Sequence, residues 1–397
     1  MARYRTFKQH LDKDIGPKRI LSLDGGGLRG MVSLQVLYRL ESLLKERFSD
    51  GELRLADYFD LIAGTSTGAI IAAGLSLGMS VEEIEGHYLR LGNKVFMRSF
   101  WRRGLLQDSY DASAVAEALR GVYGPGPLKR EDFRTGLLVV AKRLDTGSTW
   151  VLTNNPDAKY FPPNPARPST IPNGEYPLWQ VVRASTAAPT FFAPEKISIH
   201  SSATPGREDV DGFFVDGGCS PHNNPSLQAL MTATMDGYRL QWSAGADKLL
   251  LVSVGTGKAD PAVDTSSKFA GLAAVQGVLA LKNLMEDCGD LVETMLQWFS
   301  APTPTSREID REIGHAGPAL GGNALLTYQR YNALFTKKWF KDVLGKDVDA
   351  AYLENMQEMD RPENLDALRD LGQAVARQVQ PEHLPSVFDN GVKLNLC

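Results

Sequence analysis

A serine between two glycines is the arrangement in this chain that is best suited to chemistry: Ser66 lies between Gly64 and Gly68. An apolar run over residues 58–63 precedes it and a second over residues 69–73 follows it, so the pattern predicts a strand, a sharp turn and a helix. Such a turn holds the Ser66 hydroxyl in the open at a helix N-terminus, whose free amides favour negative charge. A hydroxyl held near a base in this way can act as a nucleophile. The alternative is a Ser/Gly-rich turn without chemistry, because so short a motif also occurs by chance.

The segment upstream predicts a second element of such a site. An apolar run over residues 18–23 is typical of a buried strand, and it is followed by Asp24 and three successive glycines, Gly25, Gly26 and Gly27. Glycines leave backbone N–H groups unobstructed, and a helical pattern follows, so this loop is suited to binding an anion. In an acyl-transfer enzyme that anion would be the oxygen of the tetrahedral intermediate. Arg29 would add positive charge nearby.

The same loop has an alternative interpretation as a dinucleotide site. Its spacing, Gly25-x-Gly27-x-x-Gly30, matches the fingerprint that follows a strand and opens a helix. The acidic residue expected about 20 positions later would fall within a helical pattern rather than at the end of a strand. This interpretation also leaves Ser66 without a role. The sequence therefore favours an oxyanion hole over a nucleotide site.

A carboxylate that could serve Ser66 as a base comes much later in the chain. Asp216 follows a short apolar run over residues 212–215 and is itself followed by Gly217 and Gly218. The two glycines would let it approach another loop closely, although an ordinary Asp-Gly turn is the alternative. All three motifs follow predicted strands, and ligands of open parallel sheets bind beyond the carboxyl ends of the strands. We therefore expect the three motifs to meet in one pocket.

The order of these motifs resembles that of the patatin-like phospholipases. Runs at residues 183–191 and 252–257 also fit the pattern of that family, so the likeness covers about residues 19–258. The resemblance implies an α/β fold, with an open, mostly parallel sheet sandwiched by helices. It also implies a lipid acyl hydrolase of the phospholipase A type that uses a Ser–Asp dyad and neither metal nor cofactor. The third motif often ends in Ala in this family, and Gly218 is a mild departure.

The resemblance assigns a role to each motif. Ser66 would be the nucleophile, Asp216 the base, and residues 25–27 the oxyanion loop. Asp216 would take the Ser66 proton during attack on an ester carbonyl, and water activated by Asp216 would later release the fatty acid. An aspartate of ordinary pKa, about 3.9, is a weak base. We therefore expect desolvation in an apolar crevice to raise the pKa of Asp216.

A Ser-His-Asp triad is the alternative within the hydrolases. It needs a histidine, usually in the chain order Ser, Asp, His. Of the six histidines, only His222 lies close to a motif, and His315 lies in a glycine-bearing loop after Asp216. Both are more typical of surface or structural residues, so the dyad is preferred.

Composition limits the class and location of the protein. The chain has 397 residues, 43% of them hydrophobic, with 43 basic and 47 acidic side chains, which argues against a nucleic-acid partner. Three distant cysteines fit a reducing compartment rather than a disulfide framework. The N-terminus lacks a signal-peptide pattern, and no apolar run is long enough to span a membrane. We expect a cytoplasmic protein that contacts a membrane surface transiently when it acts on a phospholipid.

Periodicity predicts the arrangement of the remaining elements. Residues 32–46, 69–77, 81–91 and 112–121 have helical patterns, and residues 137–141 and 150–153 strand patterns. We predict a catalytic α/β domain at residues 19–260 and a helical C-terminal region, residues 261–397, packed on it. The Pro- and Asn-rich residues 154–177 could be a lid, a contact surface or a passive insertion. Residues 94–103 combine four cations with aromatic side chains, and could touch lipid or end a helix.

One further alternative concerns regulation. The bacterial patatin-like proteins that this chain resembles include nucleotide-activated defence effectors, so the enzyme could be inactive until it is triggered. The sequence carries no motif that shows or excludes an activator. It also leaves open the head group, the acyl position, the chain length and the oligomeric state.

Overall fold

A computed structural model describes residues 4–96, 112–189, 191–201, 209–259, 273–309, 312–315 and 322–393. The strands within these residues are β1 (Lys18–Leu23), β2 (Leu61–Thr65), β3 (Gly136–Arg143), β4 (Thr149–Thr153), β5 (Glu195–His200), β6 (Val210–Asp216), β7 (Leu249–Val254), β8 (Lys258–Ala259), β9 (Ser300–Ala301), β10 (Leu326–Tyr331) and β11 (Leu334–Phe335). The helices are α1 (Phe7–Leu11), α2 (Gly30–Arg47), α3 (Leu55–Tyr58), α4 (Thr67–Ser76), α5 (Val81–Phe96), α6 (Ala112–Tyr123), α7 (Leu178–Ser185), α8 (Ser226–Thr234), α9 (Ala273–Phe299), α10 (Lys337–Leu344), α11 (Ala350–Gln357) and α12 (Leu365–Ala376).

Most strands form one mixed sheet in the order β5-β6-β3-β2-β1-β7-β10-β9, with β4 also paired to β3. The pairs from β3 through β2, β1 and β7 to β10 and β9 are parallel. The pairs β3–β4, β3–β6 and β5–β6 are antiparallel. The predicted fold class, an open and mostly parallel α/β sheet, is confirmed.

Helices cover both faces of this sheet. Every residue of β1, β2 and β7 is buried, as expected for strands of a parallel sheet that is packed on both sides. Successive side chains of a strand alternate between faces. Leu21 of β1 therefore lies in a core with α2 and α4, whereas the neighbouring Ile20 lies in a second core with α8 and α9. This packing explains why the strands appear in the sequence as continuous apolar runs.

The predicted helices and strands before residue 257 are found close to their expected bounds. The helical patterns correspond to α2, α4, α5 and α6, and the strand patterns at residues 137–141 and 150–153 to β3 and β4. Residues 154–177 form an excursion whose regular structure is one short 3₁₀ turn, Asn173–Glu175. Residues 97–103 lie outside the described part of the chain, so the membrane contact of that segment stays a prediction.

The C-terminal region is largely helical, as predicted, but it also supplies strands that the sequence analysis missed. Strand β10 pairs in parallel with β7, and β9 extends the sheet beyond it. Helix α12 packs on α2, where a Cβ at Gly372 would lie 2.9 Å from the Val32 Cα. The division into residues 19–260 and 261–397 stays a prediction, and the two regions share one sheet. No helix of the described residues is long and apolar enough to cross a bilayer.

Candidate active site

Ser66 occupies a sharp turn between β2, which ends at Thr65, and α4, which begins at Thr67. Its backbone has φ +54° and ψ −126°, a conformation that is strained for a residue with a side chain. Ser66 is partly exposed, whereas the residues on either side of it are buried. The hydroxyl is therefore presented at the N-terminus of α4, as the motif predicts.

The two glycines of the motif are required by close backbone contacts. A Cβ at Gly64 would lie 2.2 Å from the Gly68 carbonyl oxygen, and one at Gly68 would lie 2.2 Å from the Leu23 carbonyl oxygen. No side chain fits at such distances. The turn can thus pack against the end of β1 only because both positions lack a Cβ.

Asp216 lies directly beside the serine. The Ser66 hydroxyl donates a hydrogen bond to Oδ2 of Asp216 at 2.5 Å, and the Gly218 N–H donates to Oδ1 at 2.7 Å. The Asp216 side chain is buried. Both carboxylate oxygens are therefore held, and one of them faces the Ser66 oxygen without an intervening group.

The strand that carries Asp216 runs in the direction opposite to the one assumed from the sequence. Strand β6 is antiparallel to β3, so it enters from beyond the carboxyl edge of the parallel strands and ends at that edge. Thr65 is opposite Val140 on β3, and Asp216 is opposite Ala141, the next residue. Because β6 ends next to the strand end that precedes Ser66, the Asp216 carboxylate lies beside the serine. Gly217 permits this contact, since a Cβ would lie 2.3 Å from the Val140 carbonyl oxygen.

Burial determines the acidity of this carboxyl group. Desolvation raises the pKa of Asp216 to about 6, although the hydrogen bonds from Ser66 and Gly218 and the positive charge of Arg183 oppose the shift. A carboxyl with this pKa is a stronger base than an exposed aspartate and is still ionised at neutral pH. The expectation of a raised pKa agrees with this direction.

The glycine loop lies against the serine on the other side. A Cβ at Gly25 would lie 3.0 Å from the Ser66 Cβ, so the two backbones are in contact. Gly25 donates its N–H to the Asn223 carbonyl at 3.1 Å, and its own carbonyl accepts from the Thr256 hydroxyl at 2.8 Å. The Gly25 amide is therefore already occupied.

Two amides of the loop have no acceptor among the described residues. Asp24, Leu28 and Arg29 donate to the carbonyls of other residues, and Gly30 donates within the turn. The N–H groups of Gly26 and Gly27 remain. Gly27 has a positive φ of +55°, so the backbone changes direction after these two amides and before the following helix. These are the donors that the loop can offer to an anion.

The Arg29 side chain, which the sequence analysis placed near the anion, is buried. Its guanidinium lies 5.7 Å from the centre of the Phe335 ring, and its Nε has no hydrogen-bond partner among the described residues. Burial lowers its pKa, which the charges of Glu286 and Asp24 partly offset. Arg29 therefore places a buried positive charge beside Phe335.

Ser185, at the end of α7, is a contact of the site that the sequence analysis did not single out. Its Oγ accepts the Ser66 N–H at 2.9 Å and donates to the Val140 carbonyl at 2.6 Å. The hydroxyl thus fixes the strained turn to the neighbouring strand. The run at residues 183–191 contains this serine, but the pattern by itself gives Ser185 no role.

No histidine ring hydrogen-bonds Ser66 or Asp216 within the described residues. His222 lies near the site, but it is its backbone carbonyl that accepts from the Thr65 hydroxyl at 2.7 Å. The His222 Nδ1 is buried, with no hydrogen-bond partner in the part of the chain that the structure describes. His315 is exposed. The geometry therefore gives no support to a Ser-His-Asp triad.

The sequence model of the family described as patatin-like phospholipase matches residues 21–230, slightly more than half of the chain. The chain belongs to this family. The matched region contains Ser66, Asp216 and the glycine loop, and it ends within α8. The C-terminal strands and helices lie beyond it.

Several curated relatives are similar over most of the chain. The cGAMP-activated phospholipase of Vibrio cholerae is 29% identical over 70% of this chain and 73% of its own length. The cGAMP-activated phospholipase of Escherichia coli is 28% identical, with 60% of this chain and 62% of that protein covered. Patatin-like protein 4 of Arabidopsis thaliana is 31% identical over 60% of this chain and 59% of its own length.

Among solved structures, human GIVD cytosolic phospholipase A2 is similar at 13% identity and a TM-score of 0.46. The alignment covers 97% of this chain and 62% of the human chain.

Proposed function

We propose that this protein is a serine lipid acyl hydrolase of the phospholipase A type, in which Ser66 and Asp216 form a catalytic dyad. The observation that carries the proposal is the 2.5 Å contact between the Ser66 Oγ and the Asp216 Oδ2. A nucleophile and a base within hydrogen-bond reach, with donors for an oxyanion alongside, are the three components of acyl transfer. Membership of the patatin-like phospholipase family supports an ester of a lipid as the substrate.

The first half of the reaction transfers the acyl group to the enzyme. Asp216 takes the proton of the Ser66 hydroxyl while the oxygen attacks the carbonyl carbon of the ester. The N–H groups of Gly26 and Gly27 donate to the oxyanion that forms, and the N-terminus of α4 adds a favourable dipole. The C–O bond to the alcohol then breaks, and the leaving alcohol takes the proton from Asp216.

The second half releases the fatty acid. A water molecule attacks the acyl carbon, and Asp216 accepts its proton. The second tetrahedral intermediate expels the Ser66 oxygen, which regains a proton from Asp216. The dyad is then in its starting state.

A small apolar cavity lies between α4, α5 and α6, with Ile70 and Gly74 in one wall. Ser66 is not among its lining residues, and the cavity has room for only about one water molecule, so it is too small for an acyl chain. A phospholipid substrate would require contact with a membrane surface. The cytoplasmic location stays a prediction.

Two variants test the dyad on a soluble short-chain ester and on phospholipid vesicles. Ser66→Ala should reduce hydrolysis to background, and Asp216→Asn should reduce it by about 10²–10⁴-fold because the general base is lost. Ser76→Ala is a matched control, since Ser76 is a buried serine of the same helix whose hydroxyl lies 3.4 Å from the Gly136 carbonyl. Parent-like hydrolysis by Ser66→Ala would exclude the proposal.

We further propose that a cyclic dinucleotide activates this hydrolase. The support is the similarity to two proteins named cGAMP-activated phospholipases, one of which matches over 288 residues and hence beyond the family region. Vesicle hydrolysis should rise when cGAMP is added to the full chain, and isothermal titration calorimetry should detect its binding. Equal rates with and without cGAMP, and no heat of binding, would contradict this second proposal without affecting the first.

A further inference from the structure

Arg330 on β10 forms a buried, two-pronged ion pair with Asp24, the residue that begins the glycine loop. Its Nη1 lies 2.9 Å from Oδ1 of Asp24 and its Nη2 lies 2.6 Å from Oδ2. Both side chains are about 8% exposed. Nη1 also donates to the Ser253 hydroxyl at 2.8 Å. The two parallel hydrogen bonds form a fork that holds the carboxylate in the plane of the guanidinium. They therefore fix the orientation of the Asp24 side chain as well as its distance from Arg330.

The sheet register explains how the pair forms across a strand. Arg330 is opposite Ser253 on β7, and Ser253 is opposite Ser22 on β1. The two small serines leave room on this face, and the Arg330 side chain passes over β7 to the residue just after β1. Asp24 lies two positions beyond Ser22, so its side chain points to the same face of the strand.

The contact restrains the loop where its position matters. Asp24 also donates its N–H to the Val254 carbonyl at 3.1 Å, so both its backbone and its side chain are fixed. The next residues after it include Gly26 and Gly27, whose amides have no acceptor among the described residues. At the other end of the loop, the Leu28 N–H donates to the Met359 carbonyl at 2.8 Å. Two residues of the C-terminal region thus hold the two ends of the loop.

We propose that Arg330 is a positioning residue that holds the glycine loop, through Asp24, with the Gly26 and Gly27 amides aimed at the oxyanion. The inference rests on the proposed acyl transfer at Ser66. Oxyanion donors act only within a narrow range of distance, so a small displacement of the loop lowers the rate of the chemical step. Arg330 lies 100 residues beyond the end of the family match, so the C-terminal region would complete the site.

Three variants separate positioning from stability. Arg330→Met removes the fork, but it leaves the Asp24 carboxyl buried without its partner. The double variant Asp24→Asn with Arg330→Met removes both charges of the pair, which keeps the test informative if the single variant does not fold. Glu293, which lies 3.9 Å from the Arg330 Nε, keeps its ion pair with Arg307. Arg330→Lys keeps the charge without the planar fork. Arg307→Met is the control, because Arg307 pairs with Glu293, the same carboxylate that lies 3.9 Å from the Arg330 Nε, and makes no contact with the loop within the described part of the chain.

The readouts are the melting temperature, kcat and KM on a soluble short-chain ester, and hydrogen–deuterium exchange of residues 25–30. We expect the double variant to melt close to the parent and to lose about 10²-fold in kcat, with KM within about threefold, as when an oxyanion donor is lost. Arg330→Lys should lose about tenfold in kcat. Hydrogen–deuterium exchange of the loop amides should be faster than in the parent in the double variant and in Arg330→Lys, and unchanged in Arg307→Met.

A folded double variant with the kcat and loop exchange of the parent would overturn the inference. An equal loss of kcat in Arg307→Met would also overturn it, since the effect would then belong to the network in general. Failure of the proposed function is distinguishable, because it appears as activity in Ser66→Ala. In that case the exchange of the loop still reports whether Arg330 holds it.

Discussion

At the scale of the residue, the proposed dyad requires a carboxyl group that is both ionised and basic enough to take a proton from Ser66. Its contact with Ser66 and the Gly218 amide favours the ionised form of Asp216, and its burial favours the protonated form. The effect of burial is the larger one, so the pKa of Asp216 is raised to about 6. Asp216, the proposed base, is therefore ionised at neutral pH, yet it binds a proton far more readily than an exposed aspartate does.

This pKa predicts the pH dependence of hydrolysis. The proposed reaction needs Asp216 without its proton, so kcat/KM for a neutral ester should fall about tenfold per pH unit below about 6 and be constant above it. Rates between pH 4.5 and 8.5 on a soluble ester would measure this midpoint. Far-ultraviolet circular dichroism over the same range is the control for unfolding. A midpoint near 4 would mean that the carboxyl group is solvated during the reaction.

The hydroxyl of Ser185 supports the strained turn, and its removal should affect rate more than stability. Ser185→Ala removes the acceptor of the Ser66 N–H, so the turn loses one fixed contact. We expect a loss of about tenfold in kcat from misplacement of the nucleophile, with about 1–2 kcal/mol lost in the free energy of unfolding. Ester kinetics and urea denaturation measure the two effects. Ser198→Ala, at an exposed serine of β5, is the control, and a Ser185→Ala enzyme as active as that control would contradict the role.

At the scale of the element, the site depends on how strand ends and helix starts approach one another. The turn at Ser66 fits against β1 because Gly64 and Gly68 lack a Cβ, and β6 fits against β3 because Gly217 does. These are steric requirements of the backbone. They explain why the motifs are rich in glycine even at positions that donate nothing to a ligand.

A pair of glycine substitutions tests this steric requirement. Gly68→Ala would place a Cβ 2.2 Å from the Leu23 carbonyl oxygen, so the strand and the helix must separate, and we expect a large loss of stability or failure to fold. Gly121→Ala is the matched control in α6, where no atom of the described residues lies within 4 Å of the new Cβ. It should stabilise the protein by about 0.5–1 kcal/mol, because alanine is the better helix former. Thermal unfolding of both variants gives the comparison, and a Gly68→Ala protein as stable as the parent would refute the steric argument.

At the scale of the whole molecule, the sheet separates the candidate site from a cluster of buried charges at its opposite edge. Asp60, just before β2, accepts hydrogen bonds from Arg5, His10 and Arg19. Arg19 also donates to the Phe388 carbonyl, so the cluster joins the start of the chain to its C-terminal part. Burial opposes the ionised form of Asp60, but the Arg19 charge and the His10 hydrogen bond outweigh it and hold the pKa of Asp60 well below its usual value.

Removal of the Asp60 charge should destabilise the fold without changing the chemistry. Asp60→Asn leaves Arg19 buried without its carboxylate partner, which typically costs about 3–5 kcal/mol. The distance along β2 to Ser66 is roughly 20 Å, since a strand rises about 3.3 Å per residue. We expect a lower urea midpoint and an unchanged kcat below the melting transition. Glu363→Gln, in the exposed pair with Arg361, is the control and should change neither quantity.

The sequence by itself determined the local parts of this protein. The turn at Ser66, the glycine loop and the buried strands β1, β2 and β7 follow from sterics and from apolar runs that act over a few residues, so they can be read from a short window. Strand β10 could not be predicted in this way, because the polar residues Gln329 and Arg330 interrupt its apolar pattern. These side chains can lie inside the protein because they pair with residues of other elements, the His383 carbonyl and the Asp24 carboxylate.

Only the tertiary structure decided which distant residues meet. The reversed direction of β6 brings Asp216 to Ser66, α7 brings Ser185 to the turn, and the register of β10 brings Arg330 to Asp24. Each of these contacts depends on which strands pair, in which direction and in which register. Sheet pairing of this kind is set by the packing of the whole core, which no local window of the sequence contains.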